Sequence, residues 1–279
     1  MKAIQFYNQL NDRGCHWNDC TLLMPAVSVG NVGQLAIDLL VTTLIYERKA
    51  RLVGRIFSTA LKSVSGPNAY QFGDDCPIMT TCEVYESIEY KLVIIQLRAP
   101  PYKQRRKQFV EELTKWIKEE QFKLTVHLSS SFSQFLSPDA FNSSSSPNVQ
   151  TKLPVRYLAT QSLKENNPTT FFEQLKLIEL KVNSDDSEDH DPSLTDLIGS
   201  GLTKSLFQHW QNENINGIFF VIFCSEGDNT PEAIEIMEAA NKLIKVKETL
   251  IETGKPMNRW KTPISWMNLF GGSIPANLF

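Results

Sequence analysis

Residues Ser28-Val29-Gly30-Asn31-Val32-Gly33 have the spacing of a dinucleotide fingerprint whose first glycine is a serine. Between a strand and a helix, such a turn can present backbone N–H groups to a phosphate at the positive end of the helix dipole. Two residues oppose that use. Ser28 replaces the glycine needed for the first tight turn. Gln34 follows Gly33, with no Lys-Ser/Thr pair of a phosphate loop. The turn therefore has two readings: close helix-to-strand packing, or the cofactor loop of a nucleoside- or nucleotide-binding α/β enzyme built on Gly30 and Gly33.

Three further groups could carry chemistry. Cys15, His16 and Cys20 lie close enough to begin a zinc site, but no second Cys/His pair at ligand spacing follows. His127 precedes Ser129, Ser130 and Ser131 near the end of a strand, where a base and a nucleophile could meet. The chain has no Gly-x-Ser-x-Gly elbow, so a core histidine is the simpler reading. Glu226 and Asp228 flank Gly227 at another strand exit and could share a metal or a proton. They also suit a helix entrance, where negative charge complements the dipole. None of these groups specifies a reaction.

The elements that would position them follow the βαβ pattern of an α/β sandwich. Thr21–Val27 reads as a strand that Pro25 demotes to an edge or bulge. An apolar helix over 33–45 and a strand over 51–57 come next. Two strands joined by a tight turn cover 82–87 and 91–98, and Leu92-Val93-Ile94-Ile95 has the continuous apolarity of a covered central strand. Phe109, Leu113, Trp116 and Ile117 mark one face of a helix over 105–120. Strands over 124–128 and 217–224 follow, with a short helix over 202–210 between them. A last helix runs from Thr230, as N-cap with Pro231 at its first position, to about Glu252. Residues 1–279 are expected to form one α/β domain. Loop insertions fall near 137–152 (Ser/Asn/Pro-rich) and 183–191 (acidic), and a flexible tail begins at about 271.

Composition narrows the partners. The chain has 279 residues, 42% hydrophobic and 21% charged, with a net charge of −3. Near-neutral charge speaks against nucleic acid. No run of 18 uninterrupted apolar residues suggests a membrane span. The first residues turn polar too soon for a signal peptide. Five cysteines suggest reduced thiols.

Leu22–Leu40 is similar to the first motif of the proteasome assembly chaperone family. Later segments agree in order: Leu97-Arg98, Leu128-Ser129-Ser130-Ser131, Arg156-Tyr157-Leu158, Gly201-Leu202-Thr203-Lys204, Ser225-Glu226-Gly227-Asp228-Asn229, Arg259-Trp260-Lys261-Thr262-Pro263, Ser265-Trp266 and Leu269-Phe270-Gly271, then the closing Leu278-Phe279. The resemblance implies a three-layer α/β/α sandwich with a mostly parallel central sheet, like nucleoside phosphorylase folds but without their activity. It implies no catalytic, metal or cofactor-binding residue and no cofactor. It implies a heterodimer with proteasome assembly chaperone 1 that binds the proteasome α subunits, promotes their ring and prevents aberrant α-ring dimers, in cytoplasm and nucleus. It also implies a carboxyl-terminal tail that docks on the α ring. The family's tails resemble the hydrophobic-tyrosine-any motif of proteasome activators. Here the candidates are Ile274, Asn277, Leu278 and Phe279, with Asn277 and Leu278 at the hydrophobic and tyrosine positions.

Overall fold

The computed structural model describes residues 4–8, 16–71, 73, 76–135, 155–182, 193–252 and 259–268. Both expected insertions and the tail from about 271 lie outside the described residues. The strands are β1 (Ile4–Asn8), β2 (Thr21–Pro25), β3 (Arg51–Ser58), β4 (Ser65–Gly66), β5 (Met79–Thr80), β6 (Cys82–Ser87), β7 (Leu92–Leu97), β8 (Leu124–Phe132), β9 (Arg156–Ala159), β10 (Ile178–Glu179) and β11 (Gly217–Cys224). The helices are α1 (Val32–Tyr46), α2 (Arg106–Glu120), α3 (Gln161–Asn166), α4 (Thr169–Glu173), α5 (Thr203–Asn212), α6 (Thr230–Ile244) and α7 (Val246–Glu252).

Nine strands form one sheet in the order β1-β3-β6-β7-β2-β8-β11-β9-β10. The centre, β7-β2-β8-β11, is parallel. Antiparallel pairing begins outside it, at β6 on one side and β9 on the other. The expected α/β/α layering is present, with a parallel centre inside a mixed sheet. Side-chain alternation along β11 divides the core: Ile218, Phe220 and Ile222 face α1 and α6, while Phe219, Val221 and Phe223 face α2 and α5. The window Val29–Tyr46 is apolar enough to cross a membrane, yet 78% of it is buried in the protein. Its apolarity serves packing against the sheet.

Four expectations need correction. Pro25 does not put its strand at an edge, because β2 is central. β2 pairs with β7 only through Leu23, and Ala26 N–H turns to Leu128 O on the β8 side. By alternation the Pro25 nitrogen faces the β7 side, where the ladder has ended, so no hydrogen bond is lost. Ser129–Ser131 do not follow their strand; they belong to β8, in register with Val221–Phe223 of β11. Asn229 rather than Thr230 precedes α6. The last helix also breaks at Lys245, whose φ is 53°. Asn241 holds that break by accepting from Lys247 N–H through Oδ1 and donating to Glu248.

α1 is fixed to the sheet at two points. In its second turn, buried Asp38 takes both terminal nitrogens of Arg98, at 2.7 and 2.8 Å. Asp38 also accepts from Tyr70 OH (2.7 Å) and Gln96 Nε2 (2.6 Å), so a charge that burial would penalise is fully paired. At its first turn Gly33 lies against the β8 backbone. A Cβ there would overlap the Leu128 carbonyl oxygen, well inside van der Waals contact distance, and would lie 3.1 Å from its carbon and 3.2 Å from Ala26 N.

Gly33→Ala should therefore lower stability by about 1–3 kcal/mol, the usual cost of overpacking. Urea unfolding would show it as a lower midpoint at unchanged slope. An unchanged midpoint would mean that the contact is not tight.

Candidate functional site

The segments that the sequence singled out converge at the carboxyl ends of β2, β8 and β11, the usual ligand end of an open α/β sheet. Four loops meet there: 26–33, the end of β8, 198–203 and 225–229. Val29 N–H donates to Gly199 O (2.9 Å), Phe132 N–H donates to Ile198 O (2.9 Å), and Asn229 approaches Gly30.

The Gly30 turn is closed by its own neighbours. Gly30 (φ 64°) and Asn31 (φ 55°) are both left-handed, a conformation that glycine adopts freely and asparagine tolerates. Ser130 Oγ donates to Val29 O (2.5 Å), so Ser28 Oγ donates to Ser130 Oγ (2.7 Å). Ser28 Oγ also accepts from Ser130 N–H (3.1 Å). The serine that breaks the fingerprint is thus the residue that ties the turn to β8. Val29 N–H is spent on Gly199 O and Asn31 N–H on Ser28 O (3.1 Å), which leaves neither for a phosphate. Asn229 Nδ2 donates to Ser225 O (3.0 Å) and Gly227 O (3.1 Å), and a Cβ on Gly30 would lie 2.5 Å from that nitrogen.

The histidine and serines form a second lock. His127 is 1% exposed and lies mid-strand in β8, with its ring edge-on to Phe219 (5.1 Å) and Trp210 (6.2 Å). Thr203 Oγ1 lies 2.6 Å from Ser200 O, 2.7 Å from Ser129 Oγ and 3.2 Å from His127 Nε2. With the Thr203 proton on the Ser200 carbonyl, His127 carries its own proton on Nε2 and donates to Thr203. Burial pushes the imidazole pKa down to about 3, so the ring is neutral. Ser129 is fully buried, and no carboxylate orients the ring among the described contacts. A triad needs an accessible nucleophile and an oriented base; this cluster has the form of a core polar network.

The remaining candidates separate. Asp228 Oδ1 accepts from Thr230 N–H (3.0 Å), which fixes the entrance to α6, while Glu226 is exposed. Cys15 lies outside the described residues, His16 is exposed and Cys20 is buried. Cys20, Cys76, Cys82 and Cys224 are free thiols, and burial pushes those of Cys82 and Cys224 upward, the latter to about 11. Among the described residues no group of three His, Cys, Asp or Glu could hold a metal. Ile274, Asn277, Leu278 and Phe279 lie outside the described residues.

The approach to the tail is described. Trp260 is buried and donates from Nε1 to Glu238 on α6 (3.0 Å). Lys261 N–H donates to Thr43 of α1 (2.9 Å), and its ammonium lies 4.4 Å from the centre of the Tyr46 ring. Ser265 N–H donates to Ala69 O (3.2 Å), and Trp266 packs on the α1/α6 core. Residues 259–268 are therefore a strap that fixes where the tail departs. Sequence reasoning assigned no role to Thr203 or Asp38, although both sit inside motif segments, because the partners Ser129 and Arg98 lie 74 and 60 residues away.

A family model described as "PAC2 family" matches residues 22–254. Proteasome assembly chaperone 2 of Xenopus tropicalis is 33% identical over 265 residues, 94% of this chain and 95% of that protein. Proteasome assembly chaperone 2 of Homo sapiens is 33% identical over 266 residues, 93% of this chain and 94% of that protein. Among solved structures, Pyrococcus furiosus PbaA, described as an archaeal homolog of proteasome-assembly chaperone, has a similar fold. Its TM-score is 0.56 at 14% identity, over 85% of this chain and 87% of that one.

The closed cluster makes a pH prediction. Folded His127 stays neutral down to about pH 3, whereas unfolded it takes a proton near 6.5. Its contribution to stability is therefore complete above about pH 6.5 and is lost as pH falls toward 3, at about 1.4 kcal/mol per unit. Between pH 7 and 5 the protein should lose about 2 kcal/mol through this group. Denaturant titrations at both pH values should show that loss shrinking in His127→Gln; an equal loss in both proteins would contradict it.

Proposed function

The chain belongs to the PAC2 family, and from that membership we propose that it is a proteasome assembly chaperone with no catalytic activity of its own. The observation that carries this reading is the near-full-length identity to the frog and human chaperones. The closed turn at Gly30 supports the non-enzymatic part, because the N–H groups of Val29 and Asn31 are already bonded within the fold. A chaperone of this kind works through surfaces and termini, and its α/β core serves as a scaffold.

In the finer form of the proposal, the chain pairs with a second chaperone of the family, proteasome assembly chaperone 1. The pair binds the proteasome α subunits, promotes their ring and prevents α rings from dimerising. The tail docks in an α-ring pocket through Ile274, Asn277, Leu278 and Phe279. The strap supports this geometry, since Ser265 holds the chain to Ala69 just before the tail begins.

Magnitudes indicate why a dimer would be needed. Burying Leu278 and Phe279 yields roughly 3–6 kcal/mol, and a paired carboxylate about 1.5–3 more. Association and ordering cost at least ~4 kcal/mol, so a single tail binds weakly. A second tail on the same particle raises avidity by roughly 10²–10⁴.

Removing residues 277–279 should therefore weaken α-subunit binding by the heterodimer at least tenfold, measured by surface-immobilised titration, while heterodimer formation is unchanged. Equal affinity without these residues would remove the tail from the mechanism. Failure of the intact heterodimer to bind α subunits would remove the chaperone reading itself.

A further inference from the structure

On the α2/α5 face a cleft opens at the carboxyl ends of β2 and β7. Its walls are apolar, built by Met24, Pro25, Leu97, Pro100, Phe109 and Leu202, and it encloses about 40 Å³, room for a small alkyl group. Two polar residues line it, the buried His127 and the exposed Arg106.

Both flanking helices point their amino-terminal ends at this cleft. α2 meets it through Arg106 and Phe109, and α5 through Gly201, Leu202 and Leu206. Their partial positive charges add there, which favours an anion. The sequence reinforces this field at the expense of the helix. Lys103, Arg105, Arg106 and Lys107 crowd the start of α2, and its first turn holds no acidic residue, in a chain of net charge −3. Arg105 is committed to Thr59 O (2.8 Å). Arg106 is exposed, with no carboxylate partner among the described residues.

His127 supplies an independent observation. Its Nε2 faces Thr203, while its Nδ1 is buried with no partner among the described residues. As the unprotonated nitrogen of a neutral ring, Nδ1 is an acceptor that lacks a donor.

We propose that this cleft binds the carboxyl-terminal residue of an extended peptide, with its amide N–H on His127 Nδ1, its aliphatic side chain in the apolar cleft and its carboxylate at Arg106 and the two helix ends. Each vacant group then has a complement in one ligand. An inorganic anion would satisfy the charge alone and leave both the apolar walls and Nδ1 without partners. The site receives a peptide terminus, and so is separate from the tail that this chain extends toward others.

N-acetyl-leucine carries all three groups and is the probe. Titrated into the full ¹⁵N-labelled chain, it should give saturable amide shifts at Gly201, Leu202 and Arg106. N-acetyl-leucinamide, which lacks the charge, and inorganic phosphate, which lacks the rest, should each bind at least tenfold more weakly. Arg106→Gln, at an exposed position, should lower N-acetyl-leucine affinity at least tenfold while the rest of the spectrum is unchanged. The proposal is overturned if these amides show no saturable shift, if leucinamide or phosphate binds as tightly, or if Arg106→Gln binds like the unaltered chain.

Discussion

The close approach of α1 to the backbone of β8 at Leu128 is the constraint on which the rest of this structure depends. Gly33 has no side chain, so the helix can enter against the Leu128 carbonyl, which at the same time accepts from Ala26 N–H. That geometry fixes three elements at once: the end of β2, the start of α1 and the middle of β8. It brings Ser28 to Ser130 and Gly30 beneath Asn229. The Asp38–Arg98 pair then holds the same helix further along, against the end of β7. A turn that begins like a nucleotide cradle is closed by the contacts that make it fold.

Closure also explains why several chemically suggestive residues end up in one buried polar network. Thr203 lies within hydrogen-bond distance of both His127 and Ser129, yet burial keeps the imidazole neutral and the serine inaccessible. Hydroxyls at the carboxyl ends of β2 and β8 satisfy one another and nearby carbonyls, which is what buried polar groups require. Within this network His127 Nδ1 has no partner among the described residues, and beside it the exposed Arg106 stands at the α2/α5 cleft.

Much of the architecture was legible in the residues. Phe109, Leu113, Trp116 and Ile117 mark the buried face of α2, and Leu92–Ile95 mark a covered strand, because periodicity reports burial directly. β11 was legible from its uninterrupted apolar run. What escaped depends on contacts distant in sequence. Pro25 looked disruptive because the point where β7 pairing ends is a property of the assembled sheet. Ser129–Ser131 looked like a strand exit, although β11 pairs with them throughout. The break at Lys245 rests on one asparagine, Asn241, bonding forward within a helical pattern. At the closed turn, Ser28 read as a defect in a motif; its partner Ser130 lies 102 residues away, and only the fold shows that it is the fastener.

In the proposed function this scaffold acts on the assembly of other chains. The most direct measurement is the yield of closed α rings, followed by native mass spectrometry, when free proteasome α subunits are mixed with and without this chain and the proposed partner, proteasome assembly chaperone 1. Ring formation should be faster, with fewer paired rings, when both chains are present, and the effect should be lost when this chain is omitted. Equal rates and equal ring pairing with and without this chain would contradict it.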